Sequence, residues 1–214
     1  MDRKLVSYIS IGWRTVIVLL TLQVVLTSVL RYFTQSWEAP SVITQNSFAN
    51  PFLVVHVAAG IVAMLLGPLQ FVGAIRKRYP AIHRVSGRLY VAAIAVAAPT
   101  GLILSLGTTA GPIAGTGFAI LAILWPIVTF LGVRAAIDRN FAEHRKWMLR
   151  SYALTATGLT LRVMLPLAGL FEIPFYDAYR VIAWASWMTN LAMAEYYLRR
   201  SRESAARATR LAIA

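Results

Sequence analysis

Of 214 residues, 58% are hydrophobic and only 14% charged, whereas a soluble domain carries about a quarter charged residues. The chain has no cysteine, which excludes disulfides, iron–sulfur clusters and thiolate chemistry. Its formal net charge of +13 would raise the question of nucleic acid in a soluble protein, but the placement of that charge gives a different explanation, and no nucleic-acid partner is expected.

The apolar residues gather in runs of about twenty, enough to cross a hydrocarbon core of about 30 Å at 1.5 Å per residue. The first covers about 11–30, after Arg3 and Lys4 and before Arg31, with Tyr32 and Trp37 at the far interface. No small-x-small cleavage site follows it, so it is expected to be a retained signal anchor. Further spans follow at about 51–75, 84–106, 115–137, 149–171 and 181–198. Runs of this length fit helices rather than alternating barrel strands. The expected class is all-α: a polytopic transmembrane helical bundle of six helices, one unit over 1–198, followed by a basic tail at 199–214.

Lys and Arg set the orientation, because positively charged loops stay cytoplasmic. The N-terminal segment through Arg14, the segments Arg76 to Arg88 and Arg134 to Arg150, and the tail from Arg199 hold eighteen of the twenty-one. Only Arg31, Arg162 and Arg180 lie elsewhere. The alternation fits six crossings with both termini cytoplasmic, in a bacterial inner membrane. The outer segments carry Glu38, Glu172 and Asp177. The Ala- and Arg-rich tail either continues as a helix or lies on anionic lipid, chiefly as a topology signal.

A weak internal repeat runs through the two central basic segments. His83-Arg84 is followed by Arg88-x-Tyr90, and His144-Arg145 by Arg150-x-Tyr152. From His to Tyr is close to two helical turns in each, so each pair shares a face. The second and third spans, and the fourth and fifth, are then two hairpins of one orientation, as in some transporters. His83 and His144 would sit at matching depth.

Each candidate for chemistry has a bland reading beside it. His56, His83 and His144 are the only histidines, and an imidazole ligates haem or metal or carries a proton. Gly60, Ala63 and Gly67 beside His56, and Gly87 one turn after His83, leave bare backbone for a macrocycle, or equally for tight helix packing. Arg162 lies about thirteen residues into the fifth span, roughly 20 Å from its inner end, where a charge is expensive and faces the bundle interior. Its partners would be Glu172, Asp177, a neutral His56, or an anionic ligand such as a propionate or substrate carboxylate. Asn190 and Glu195 face into the bundle from the sixth span; Glu195 pairs with Arg14, Arg88 or Arg150, or else carries a proton. Met148 follows His144 by four and either packs or completes an axial pair. No phosphate loop, zinc-protease spacing or nucleophile with its base is present.

His56-x-x-x-Gly60, Gly67-Pro68-Leu69-Gln70-Phe71, His83-Arg84-x-x-Gly87-Arg88-x-Tyr90, His144-Arg145-x-Trp147-Met148-x-Arg150-x-Tyr152, Leu161-Arg162, Asn190-Leu191 and Glu195 together resemble an uncharacterised bacterial membrane-protein family, domain-of-unknown-function family 2306, over about 52–197. The resemblance implies a six- or seven-helix membrane protein and brings no activity. A looser likeness to b561-type cytochromes departs from their pattern, since those hold two haems with four histidines and this chain has three.

The leading expectation is a redox or cofactor-handling protein. His83 and His144 would ligate one haem b or a metal ion, Arg84, Arg88, Arg145 and Arg150 would neutralise propionates, and quinone or a membrane oxidoreductase would be the partner. The alternatives are a small proton-coupled transporter using Arg162, Glu195 and His56, with Asn190 on the path, and a non-catalytic assembly subunit. Oligomeric state is not legible.

Overall fold

In lipid, no water is available to satisfy backbone N–H and C=O groups, so an apolar run of twenty residues closes its hydrogen bonds within itself. The computed structural model describes the backbone of residues 3–34 and 41–213, and side chains for 15, 16, 18–34, 43–204 and 206. Every regular element among the described residues is a helix: α1 (Arg3–Tyr32), α2 (Ser41–Thr44), α3 (Ala49–Leu69), α4 (Gly73–Arg78), α5 (Pro80–Leu106), α6 (Pro112–Ile137), α7 (Phe141–Thr155), α8 (Thr157–Leu170) and α9 (Phe175–Ile213). Trp37 and Glu38 lie outside the described residues, as does the Arg14 side chain.

Among the described residues, α3, α5, α6 and the stretch Phe141–Leu170 are long and apolar enough to cross a membrane, and Val18–Tyr32 of α1 is a shorter apolar stretch. The composition of surface and interior points the same way. Buried positions are dominated by alanines and by hydroxyl residues such as Ser28, Ser86, Thr129, Ser151 and Thr155, while Leu22, Leu26, Ile120, Phe130 and Val181 face outward. Small residues let helix backbones approach closely where no hydrophobic effect drives them together, and large aliphatic side chains meet lipid.

Two of the expected spans differ from the helices. The stretch 51–75 ends as a helix at Leu69, and the short α4 carries Arg76, Lys77 and Arg78 separately. The stretch 149–171 falls in α7 and α8, which meet at Ala156; this residue keeps right-handed helical dihedrals and the bonds from its N–H to Tyr152 and from Thr160 to its carbonyl, so Phe141–Leu170 runs on as one apolar stretch with a slight irregularity. α7 also begins earlier than expected, at Phe141, because the Asn140 side chain accepts the Glu143 backbone N–H as an N-cap. α5 opens with Pro80, whose fixed φ suits a helix's first turn. The expected sixth span, 181–198, lies within α9, which runs as one helix to Ile213 and is not among the described helices apolar enough to be candidate membrane crossings.

α3 packs most extensively on α5, and α6 on α7, so each of the two hairpins is a tightly paired unit; α5 joins them against α6. α9 closes the bundle against α6, α7 and α8, while α1 lies more lightly on α3 and α8. The α5–α6 turn depends on Gly111, at φ +88° in the left-handed region, followed by Pro112.

The sequence motifs meet at the centre. A Cβ on Gly67 would lie 2.5 Å from a ring carbon of Tyr152 and 3.2 Å from one of Tyr90. The two repeat tyrosines thus converge on one glycine of α3. Phe71 adds a ring contact to Tyr152 with centroids 5.5 Å apart, and Gln70 Nε2 donates to Ser86 Oγ at 2.8 Å.

Candidate functional site

A cavity of about 310 Å³ lies between α1, α3, α5, α6, α8 and the start of α9. Its lining runs from Trp125, Thr155 and Thr157 near the middle of the bundle to Tyr32, Asn46 and Thr108 at the end opposite the basic clusters. The junction of α7 and α8 falls beside it, with Thr155, Thr157 and Gly158 all on the wall. Gly60 also lines it and has open space where a Cβ would stand.

His56 and Arg162 both border this cavity. His56 Nδ1 lies 2.8 Å from the Ala97 carbonyl. A carbonyl only accepts, so that nitrogen carries the proton and Nε2 is left as an acceptor. The imidazole packs against Gly101, where a Cβ would come within 2.9 Å of its Cε1. Bare backbone is therefore used beside His56, but on α5, and the expected groove at Ala63 and Gly67 is filled: Ala63 is fully buried and Gly67 is covered by the tyrosines.

The three basic residues outside the clusters have different surroundings. Arg180 is paired with Asp177 at 3.0 Å and donates to the Ala110 carbonyl at 2.9 Å. Arg162 donates to the Gly158 carbonyl and to Ser28 Oγ, each at 3.0 Å. Of the partners expected for Arg162, neither Glu172 nor Asp177 pairs with it, and Asp177 is engaged by Arg180 one turn along its own helix. Arg31 also borders the cavity, and its Nε is buried without a hydrogen-bond partner. Arg31 and Arg162 thus line the same space. Among the described residues no aspartate or glutamate lines the cavity.

At the basic end, His83 and His144 are each the fourth residue of their helices, α5 and α7. They are electrostatic neighbours. His144 Nδ1–H donates to the Gly132 carbonyl at 2.8 Å, leaving Nε2 free, and His83 Nδ1 is buried without a partner. A histidine oriented through one nitrogen by a carbonyl is arranged as metal-ligating histidines are. The bare backbone at Gly87 is occupied by Gln70, whose Oε1 lies 3.1 Å from where a Cβ would stand. Met148 packs its sulfur against Gly132. Arg84, Arg88 and Arg145 are exposed. Among the described residues no group of three or more His, Asp or Glu side chains is gathered for a metal.

Arg150 and Glu195 form an ion pair joining α7 to α9, with a second contact from Nη2 to Oε2 of 3.1 Å, and the Arg150 guanidinium lies 4.6 Å over the Trp147 ring. Asn190 accepts from Thr160 at 2.9 Å, and its Nδ2 is buried without a partner. Neither Glu195 nor Asn190 lines the cavity, so the structure does not join them to Arg162 and His56 in one space.

Sequence reasoning missed the polar floor beneath the cavity. The Tyr90 hydroxyl meets Ser151 Oγ at 2.9 Å and Thr155 Oγ1 at 2.7 Å; Trp125 Nε1 donates to Thr155 at 3.1 Å, and Thr129 meets Ser151 at 2.7 Å. The motif residue Tyr90 thereby ties α5 to α6 and α7 through Trp125, Thr129, Ser151 and Thr155. The available signal was the recurrence of Ser and Thr within apolar spans, where a hydroxyl has to find a protein partner.

A family profile described as "Predicted membrane protein (DUF2306)" matches residues 53–198. No curated protein and no solved structure matches the chain.

Proposed function

The chain belongs to the DUF2306 family of membrane proteins, a membership that assigns no activity, and from that premise we propose that it is a small transporter or permease whose working centre is the cavity bordered by His56 and Arg162. The observation that carries this reading is the cavity itself: a polar-edged space within the apolar bundle, with a histidine and an arginine on its wall. Transporters place substrate sites near the bilayer midplane. Ionisable residues inside a membrane bundle commonly mark such pathways.

The positive-inside rule places the basic end in the cytoplasm and the cavity's wider polar rim, at Tyr32, Asn46 and Thr108, on the other side. In a bacterium this is the inner membrane with six crossings and both termini inside. Glu195, held by Arg150, serves in this reading to fasten α9 rather than to carry protons. The test uses the native absence of cysteine. Thr108→Cys and Gly60→Cys are introduced singly into vesicle-reconstituted protein and exposed to a small neutral, water-soluble maleimide. Labelling at both positions is expected; labelling at neither would end the transporter reading.

A second reading rests on the neighbouring imidazoles of His83 and His144. They would ligate one metal ion or haem b near the basic end, making the protein a redox partner of quinone or a membrane oxidoreductase, with Arg84, Arg88 and Arg145 available to propionates. Arg150 is committed to Glu195. A visible spectrum, oxidised and dithionite-reduced, with metal analysis on the same purified sample, decides it. A Soret band or stoichiometric metal lost in His144→Ala supports this reading, and a colourless, metal-free folded protein removes it.

A further inference from the structure

We infer that the ligand of this cavity is an organic anion with an apolar body, its carboxylate or phosphate held between Arg31 and Arg162. The inference rests on the reading above that the cavity is a binding site, and it adds the charge and class of what enters.

The argument is one of charge balance. Two guanidiniums border one cavity, and burying like charges within a membrane bundle is unfavourable. The usual remedy is a carboxylate, and Arg180 has one in Asp177. Among the described residues Arg162 has neutral hydrogen-bond partners, the Gly158 carbonyl and the Ser28 hydroxyl. Arg31 has a buried Nε with no partner. A guanidinium offers five donors in a planar fork matched to carboxylate and phosphate oxygens. The group that completes this arrangement is an oxyanion.

The remaining walls describe the rest of the ligand. Val57, Ile61 and Leu121 give an apolar lining, and Gly60 leaves room beside it. His56 offers an acceptor at Nε2, since its other nitrogen is committed to Ala97. A volume of about 310 Å³ stands at the small end of ligand sites. The chemistry fits either a free amphiphilic carboxylate or the headgroup end of an anionic lipid, which present the same oxyanion to the same donors.

The experiment uses Gly60→Cys in an otherwise cysteine-free chain, reconstituted in phosphatidylcholine vesicles. Its modification by an anionic sulfonatoethyl and a cationic trimethylammonioethyl methanethiosulfonate is followed, each rate divided by that reagent's rate with a free thiol. The expected result is a preference of about tenfold or more for the anionic reagent, largely lost when Arg162→Gln or Arg31→Gln is added. Two arginine variants are used so that a failure of one to insert leaves the other informative. Equal rates, or a preference for the cation, overturn the inference while leaving the cavity accessible. No modification by either reagent overturns the binding-site reading beneath it. Protection by added hexanoate assigns a free organic anion, and protection on replacing phosphatidylcholine with phosphatidylglycerol assigns a lipid headgroup; protection by neither overturns the ligand class.

Discussion

Gly67 and Gly60 lie two helical turns apart on α3, yet their substitutions are expected to act in opposite directions. A methyl at Gly67 meets the Tyr152 ring at 2.5 Å, and that ring is backed by Phe71. Gly67→Ala should therefore destabilise by about 1–3 kcal/mol through overpacking, seen as a lower thermal midpoint in detergent. Gly60→Ala meets nothing within 4 Å and should stabilise by roughly 0.5–1 kcal/mol from reduced backbone freedom in the unfolded chain. Equal losses at both positions would remove the tyrosine clasp as the reason for the glycine in this motif. Tyr90→Phe is a gentler change. Ser151 keeps Thr129, and Thr155 keeps Trp125 and the Ser151 carbonyl. A cost of about 0.5–1.5 kcal/mol is expected, the scale of hydrogen bonds inside membrane bundles, read from the same melting curves.

At the level of elements, the junction of α7 and α8 lies at the cavity, with Thr155, Thr157 and Gly158 on its wall. Gly158 tolerates a side chain better than Gly67 does, because the nearest atom to its Cβ is the terminal methyl of Met64, 2.9 Å away, and that flexible end can swing aside. α9 is fastened to α7 by Arg150 and Glu195, whose side chains are 15% and 37% exposed. Such a pair lies between exposed pairs worth under about 1 kcal/mol and fully buried ones whose disruption costs several. A double-mutant cycle with Arg150→Gln and Glu195→Gln should give a coupling of about 1 kcal/mol. A coupling near zero would mean that α9 is held by packing and by its contacts to Ala110 and Ile113 instead.

For the whole molecule, the basic end and the cavity end are opposite in both charge distribution and accessibility. The basic clusters gather at one end, where α4, the start of α5 and the start of α7 lie, while the cavity rim carries no basic cluster. A C-terminal green fluorescent protein fusion should fluoresce and a C-terminal alkaline phosphatase fusion should be inactive in a bacterial host, as the positive-inside rule requires. The reverse pattern would place the cavity rim on the cytoplasmic side, without altering the site's chemistry.

The sequence by itself determined that this is an all-helical membrane protein and which family it belongs to. Both follow from signals local to the chain: twenty-residue apolar runs, and motif residues at fixed spacing. It also singled out Arg162, since a charge deep in an apolar run is conspicuous without any knowledge of its neighbours. Tertiary structure decided everything that depends on residues distant in sequence. That Arg162 meets Ser28, 134 positions away in sequence, and not the nearer Glu172 or Asp177 depends on which face α1 presents. The convergence of Tyr90 and Tyr152 on Gly67, the filling of Gly87 by Gln70, and the meeting of Arg31 with Arg162 around one space are likewise products of helix packing. Hydropathy records how much of a helix prefers lipid, and in a bundle whose interior is built from alanines and hydroxyls it holds little information on which helix faces which.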